Sequence, residues 1–569
     1  MADSKLIDLN EKVFRWLGEI VWPEKSFFWL AIIYGVGISL LSLATPISVQ
    51  LLINSIANTA LPVPLFTLAA TLFGLLVVSG LLAALRYHLM EIYRRRFAAR
   101  LIADVTMKAI NAADPFFNDD RRIDVFNRYF ELMNMQKAVP SLLLGGFTVI
   151  LSMLVGFIVT SFYHPFFLAF NLVMIFLIYL VWQFWGPGAM RTSIELSHEK
   201  YNAAHFIETV GASNGFYKTE RHISYALNKA EQMTARYVKS HAKHFSYTFP
   251  QIIALYFLYA LASAGLLALG GWLVIQEQLS IGQLVAAELI LSGVFAGMNI
   301  LYSYLDDWYD VVAAVEELSL LYGIQQEPPP PPGATRPRGG ALEMAGVRFA
   351  HNGETVRLDF AVPEGARLLC QGVPGMERKV ANLLKRIDRP QSGLITLGGV
   401  DLAVMDPLAL RSDIVVLDRA TMVETTISDY LRLANPERNA ADHLAALKLV
   451  GLEDRLALLP DGIHTLLSST GAPFSVTKVM QLKLAAAMLA EPRILVLSPL
   501  CDTISVRRLQ AVFDHFRGTR TTILYFSNRP EAIRLDGWLW LGAQDQEICT
   551  DQARFDELRI AAGRETVNG

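Results

Sequence analysis

From Ser26 to Leu85 the chain carries no Asp, Glu, Lys or Arg, and the same holds from Ala138 to Met190 and from His244 to Gln276. Nothing else in the sequence narrows the fold as far. Inside a bilayer every backbone N–H and C=O must find its partner within the protein, so uncharged apolar runs of about 20 residues become membrane-spanning helices. The first two runs each hold two spans and the third holds one. A sixth span runs from about Leu284 to Tyr304, interrupted by the single charge of Glu288. A mean hydropathy of +0.34 with 18% charged residues fits a membrane protein and is too apolar for an ordinary soluble protein.

The basic residues set the expected topology. The short breaks Asn54–Pro64, Ser161–Pro165 and Gln276–Ser280 carry no Lys or Arg. The segments between span pairs are rich in them, with Arg94, Arg95, Arg96, Arg100, Lys108, Arg121, Arg122 and Arg128 in the first and Arg191, Lys200, Lys218, Arg221, Lys229 and Arg236 in the second. Basic loops stay on the inner side. A multi-pass protein of the inner or plasma membrane is predicted, with both termini and the C-terminal region cytoplasmic and membrane lipid as its first partner. Net charge is −3 and the basic residues follow this topology, so no nucleic-acid role is indicated.

Helical spacing continues past the membrane boundary over Arg86–Asn111, Ser193–Glu208 and Tyr225–Phe245, which predicts long helical extensions. Residues 1–25 read as an amphipathic helix on the inner leaflet, with Leu6, Leu9, Val13, Phe14, Leu17, Ile20 and Val21 on one face. The domain plan is this helix at 1–25, a six-helix transmembrane domain at 26–325, a proline-rich linker at 326–340, a soluble domain at 341–563 and a tail at 564–569. The three cysteines, Cys370, Cys501 and Cys549, all lie in the soluble domain and call for no disulfide.

Within the spans, Glu288 has two readings: a gate or proton-linked site on a transport pathway, or a carboxylate near the outer interface that snorkels or pairs with Gln283. Arg86 is expected at the inner interface in a structural role. Gly293 and Gly297 make a small-xxx-small pattern that suits close helix packing. Asp306, Asp307 and Asp310 are expected to end the last helix and to pair with basic residues nearby.

The soluble domain opens with a predicted strand, Ala366–Cys370, that runs into Gly372-Val373-Pro374-Gly375-Met376-Glu377-Arg378-Lys379 and then a helix. That is the context of a phosphate-binding loop, G-x-x-x-x-G-K-[ST]. Gly372 and Gly375 stand in place, but Glu377, Arg378 and Lys379 replace the last glycine, the lysine and the Ser/Thr.

Six spans with long extensions, followed by such a domain, resemble one half of an ABC exporter over about residues 10 to 563. Phe116-Phe117-Asn118 followed by Arg121 to Arg128 is similar to the family's first coupling segment. Pro390-Gln391-Ser392-Gly393, Leu397-Gly398-Gly399-Val400-Asp401 and the run from Gly451 to Gly462 keep the frame of an ATP-binding cassette. The resemblance implies a membrane α-helical six-span ABC exporter fold plus a cytoplasmic α/β P-loop-type cassette, which works as a head-to-tail pair.

The positions that would meet nucleotide depart from the family. His351 stands where an aromatic stacks on adenine. Asp418 falls at the Q-loop glutamine, and the signature reads Phe474-Ser475-Val476-Thr477-Lys478, so that only Ser475 survives. The Walker B strand Ile494–Leu497 is intact, but its acidic pair has become Ser498-Pro499. Asn528 takes the place of the switch histidine. Proline offers no base, and Lys379 cannot hold magnesium, so hydrolysis of the usual kind is not expected.

The residues leave two states of the cassette open. It is either a dimerisation and coupling body only, or it binds ATP without turnover and without magnesium, using Arg378 and Lys379 as paired positive charges. The expected function is the catalytically inactive half of an exporter-like dimer. The alternative is a non-transporting membrane scaffold or sensor that regulates a partner complex. A homodimer and a heterodimer with a second ABC half-transporter both remain open, and the substrate cannot be read from the sequence.

Overall fold

The computed structural model describes residues 15–20, 22–58, 62–113, 127–351, 353–529 and 533–568. The first part of the N-terminal helix and the Phe116–Arg122 segment lie outside the described residues. The chain divides into two compact units, with the boundary between Glu327 and Pro328.

Among its described residues the first unit is helical apart from turns and one isolated bridge between Ala112 and Gln326. Among the described residues, six helical segments are long and apolar enough to cross a membrane: Trp22–Asn54, Leu65–Ile110, Asn127–Ser161, Pro165–Ala212, Glu220–Ile275 and Ile281–Tyr322. The first is built from Lys25–Leu41 and Ala44–Asn58. Its break follows from Pro46, which has no N–H to offer the carbonyl one turn back. The Ser42 hydroxyl donates to the Ser39 carbonyl at 2.7 Å at the break. The last span starts on a capping box, in which Ser280 Oγ accepts from Gln283 N and Gln283 Oε1 accepts from Ser280 N. The fourth and fifth helices contain 48 and 56 residues, well beyond what a bilayer requires.

The third span contains a π turn, Leu142–Gly146. Such a turn frees a carbonyl, here Leu144, which accepts from Thr148 Oγ1 at 2.8 Å and from Arg86 Nη2. Arg86 is 7% exposed and also donates to Thr148 Oγ1 at 2.5 Å, so its role is structural, as its sequence position suggested. Gly145 and Gly146 make room for Tyr304 of the last span; a Cβ at Gly145 would fall 2.1 Å from the Tyr304 hydroxyl.

Four sequence expectations change. Residues 15–20 are helical, with Arg15 and Glu19 exposed, but Trp16, Leu17 and Ile20 pack on the bundle's own apolar cluster around Tyr93, Phe97 and Val315. The chain's own helices cover that face. Asp306, Asp307 and Asp310 do not end the last helix, which runs on to Tyr322, and Asp307 Oδ2 takes its hydrogen bond from the Ser141 hydroxyl and not from a cation. Of the glycine pair, only Gly297 packs closely, with a Cβ there 3.0 Å from Val149; at Gly293 a Cβ would meet nothing within 4 Å. The proline-rich linker at 326–340 is not a linker throughout, because Thr335 N donates to the Val404 carbonyl at 3.2 Å and Asp406 N to the Thr335 carbonyl at 3.1 Å.

The second unit holds two main sheets. An antiparallel sheet has the order β2-β1-β4-β5, with β1 at Leu342–His351, β2 at Glu354–Val362, β4 at Ser392–Leu397 and β5 at Val400–Asp401. The second has the order β12-β11-β3-β10-β9-β6. Its strands are β3 at Arg367–Gly372, β6 at Ile414–Leu417, β9 at Ile494–Leu497, β10 at Thr522–Phe526, β11 at Gly537–Leu541 and β12 at Gln546–Cys549. All its pairs are parallel except β11 with β12. Its central strands are buried on both faces, as parallel strands covered by helices must be.

Candidate functional site

A parallel sheet delivers the residues after each strand to one edge, which is where open α/β sheets bind ligands. Here Leu417 pairs with Leu497, Leu497 with Tyr525, and Phe526 with Cys370. Gly372, Asp418, Ser498 and Asn528 therefore come together at the carboxyl ends of β3, β6, β9 and β10. His351 joins them from the other sheet, its Nε2 2.8 Å from the Pro374 carbonyl. No hydrogen bond joins Ser475 to this edge among the described residues; it is exposed at the start of helix Val476–Ala490, and its hydroxyl makes no cap bond.

Most phosphate-loop residues have a partner or constraint within the chain. Gly372 lies against β11, where a Cβ would sit 2.1 Å from the Leu541 carbonyl oxygen, and Val373 N donates to that same oxygen at 3.1 Å. Gly375 has φ +84°, and a Cβ there would sit 3.1 Å from the His351 ring. Met376 N donates to the Val373 carbonyl at 3.1 Å. Two N–H groups of the loop are thus engaged inside the protein. Lys379 Nζ lies 2.7 Å from Asp388 Oδ2 and 5.7 Å from the Phe349 ring centre. Arg378 is exposed.

The remaining strand ends are tied in the same way. Ser498 is buried; its N–H donates to the Leu417 carbonyl at 3.1 Å and its Oγ accepts from Leu500 N at 3.3 Å. Asp418 Oδ2 faces Arg419 Nε at 3.7 Å. Asn528 N donates to Asp502 Oδ2 at 3.0 Å, and the Tyr525 hydroxyl donates to Asp502 Oδ1. Burial, followed by that hydrogen bond to Asp502, pushes the Tyr525 phenol well above its ordinary value. Burial pushes the nearby Cys501 thiol up to about 12, which keeps it an inert neutral thiol.

Sequence reasoning missed Asp502 and Lys483. Asp502 is the one acid between Ser498 and Ser505, a signal that was available. Lys483 Nζ donates to the Arg419 carbonyl at 2.8 Å; burial lowers its pKa and Asp418 partly restores it. A lysine on a helix face next to a strand end gives no motif from which its partner could be read.

The family resemblance implies a magnesium–nucleotide pair at this edge, and the residues at the expected magnesium positions do not supply its ligands. An ammonium stands at Lys379 where a hydroxyl ligand is needed, and it is already neutralised by Asp388. The Ser498 hydroxyl is engaged by its own turn. Among the described residues no group of three or more His, Cys, Asp and Glu side chains could hold a metal ion.

In the transmembrane unit, Gln283 is used by the Ser280 cap and leaves Glu288 without that partner. Glu288 is half-buried, and its Oε2 is buried with no hydrogen-bond donor among the described residues.

The family described as ABC transporter transmembrane region matches residues 28–298. Over most of its length the chain superposes on a bacterial Atm1-family ABC exporter solved with ATP bound, with a TM-score of 0.79, 17% identity, and 95% of this chain and 96% of that one covered. The chain carries the ABC exporter fold. The exporter fold is accompanied by similarity in sequence. The alpha-hemolysin translocation ATP-binding protein HlyB of Escherichia coli is 23% identical over 504 residues, covering 85% of this chain and 69% of HlyB. The leukotoxin translocation ATP-binding protein LktB of Mannheimia haemolytica is 23% identical over 510 residues, with the same coverage. The match to the transmembrane-region family falls inside the first unit, and the likeness in fold extends over both units.

Proposed function

We propose that this chain is the catalytically inactive half of an exporter-like dimer, a subunit whose cassette pairs and couples but does not hydrolyse ATP. One observation carries the reading: β9 runs into Ser498-Pro499, where water activation needs a carboxylate and neither side chain offers one. Loss of a general base alone costs about 10²- to 10⁴-fold in rate. The pairing of Lys379 with Asp388 weighs against ATP binding without magnesium through Arg378 and Lys379.

The basic segments support an orientation with both termini and the cassette on the cytoplasmic side of the inner or plasma membrane. The relatives are translocation ATP-binding proteins by name, which supports export as the process served. Power would come from a partner cassette or another gradient. A homodimer would hold two sites lacking base and magnesium ligands. A heterodimer would hold one site facing Val476 and Thr477 in place of signature glycines. Turnover by the native complex tests the reading: phosphate release is expected to track a copurified intact cassette. Release that persists with this chain as the only cassette present would overturn it.

The second reading, a non-transporting scaffold or sensor, is favoured by the internal ties of the strand-end segments, His351 to Pro374 and Asp502 to Asn528, which hold them without ligand. Glu288 separates the two. As part of a transport pathway, Glu288→Gln is expected to assemble normally yet fail to complement deletion of the chain. Full complementation assigns the carboxylate a structural role.

A further inference from the structure

Away from the cassette, a charged network joins the long helices of the first unit. Glu131 Oε1 accepts from Lys200 Nζ and from the Tyr201 hydroxyl at 2.9 Å, and its Oε2 accepts from Asn134 at 2.6 Å. Glu317 is wholly buried. Its Oε2 accepts from Arg128 Nε at 2.6 Å. Arg128 and Lys200 each sit 4.9 Å from the centre of the Tyr201 ring, on which both cations pack.

One atom in this network is unmet. Glu317 Oε1 is buried and has no hydrogen-bond donor among the described residues. The nearest titratable nitrogen is His198 Nε2 at 3.7 Å, too far for a hydrogen bond, on a side chain that is 49% exposed. The other charges nearby are engaged: Glu131 by Lys200, and Glu195, one turn from His198, by Lys243 and Arg191. Asp310, on the same helix as Glu317, faces Glu131 and Lys200.

We propose that His198 and Glu317 form a proton-dependent latch between helix Pro165–Ala212 and helix Ile281–Tyr322. Histidine is the side chain whose charge ordinarily changes between pH 5 and 8. A proton on His198 supplies the cation that the orphaned oxygen lacks and holds the two helices together there; with the imidazole neutral that tie is lost and the helices are free to part. Arg128 already holds the other carboxylate oxygen from the third span, so closure ties three helices at one point. The last of them is the helix that runs to Tyr322, just before the chain leaves this unit at Glu327. Acid therefore closes the latch and alkali opens it.

The test uses the full chain in lipid nanodiscs, with spin labels at Ile207→Cys and Leu320→Cys, both exposed sites on the two helices. The three native cysteines are buried. Pulsed-EPR distances are compared at pH 5.5 and pH 8. A charge-assisted bond is expected to shift the open and closed populations by about tenfold toward closed at the acid pH. His198→Gln should abolish the response, and His198→Arg should hold the closed distance at both pH values. Both variants leave Glu317 with its Arg128 partner, so neither strips the buried carboxylate. A pH response that survives His198→Gln, or a wild-type distance that ignores pH, overturns the latch.

Discussion

Replacing Gly372 with alanine is expected to lower the thermal midpoint of the cassette by roughly 6 to 12 °C, the equivalent of about 3 kcal/mol in a domain of this size. The cause is steric. The new methyl would fall 2.1 Å from the Leu541 carbonyl oxygen, a backbone atom of the neighbouring strand that cannot swing away. That oxygen also receives Val373 N, so the parallel pairing of β3 with β11 would have to open at its end. Overpacking against a fixed group costs about 1–3 kcal/mol, and a backbone clash belongs at the upper end. The result bears on function, because a glycine kept only for phosphates would tolerate alanine in the fold and lose only nucleotide binding. An unchanged melting curve for Gly372→Ala would contradict the packing explanation.

Arg367→Met is expected to destabilise the cassette by about 2–3 kcal/mol, somewhat below the range for breaking a fully buried pair because Asp536 is 45% exposed. Arg367 is buried at the start of β3. Its Nε and Nη2 reach Asp536 at 2.9 and 2.5 Å, and its Nη1 donates to the Phe513 carbonyl at 3.0 Å. Asp536 also accepts from Arg367 N at 3.0 Å. These bonds hold the Asp536 carboxyl below its ordinary value, the side-chain bond to Arg367 being the largest cause. A carboxyl depressed in the folded state contributes stability above its unfolded pKa of about 3.9, and that contribution is lost as pH falls through the lower folded value. Denaturant melts of the wild type should thus lose this contribution below about pH 4, and Arg367→Met should lose less over the same interval. Equal acid sensitivity in both would contradict the assignment.

The spans were legible because uncharged apolar runs of about 20 residues satisfy their backbone in a bilayer as helices, and their ends were legible where a local device sets them, as Ser280 and Gln283 do. What depends on contacts between distant residues was not legible. The π turn at Leu142–Gly146 needs Arg86 and Tyr304 from other spans. The partner of Asp307 is a serine on another helix, which no charge pattern reveals. In the cassette, the glycine frame pointed to a phosphate loop, and the strand order brings the expected residues to one edge. Why Gly372 survives while Glu377 replaces the last glycine could not be read locally, because the reason is the Leu541 carbonyl, far along the chain. Lys379 looked like a second charge for a nucleotide until Asp388, across the turn after its helix, was seen to hold it.

The most direct measurement is phosphate release by this polypeptide purified alone into lipid, assayed with ATP and magnesium. With Pro499 at the position of the general base and Lys379 at that of the magnesium ligand, no release above that of an empty nanodisc is expected. Magnesium-dependent turnover at ordinary transporter rates, from a preparation free of other cassettes, would contradict the account.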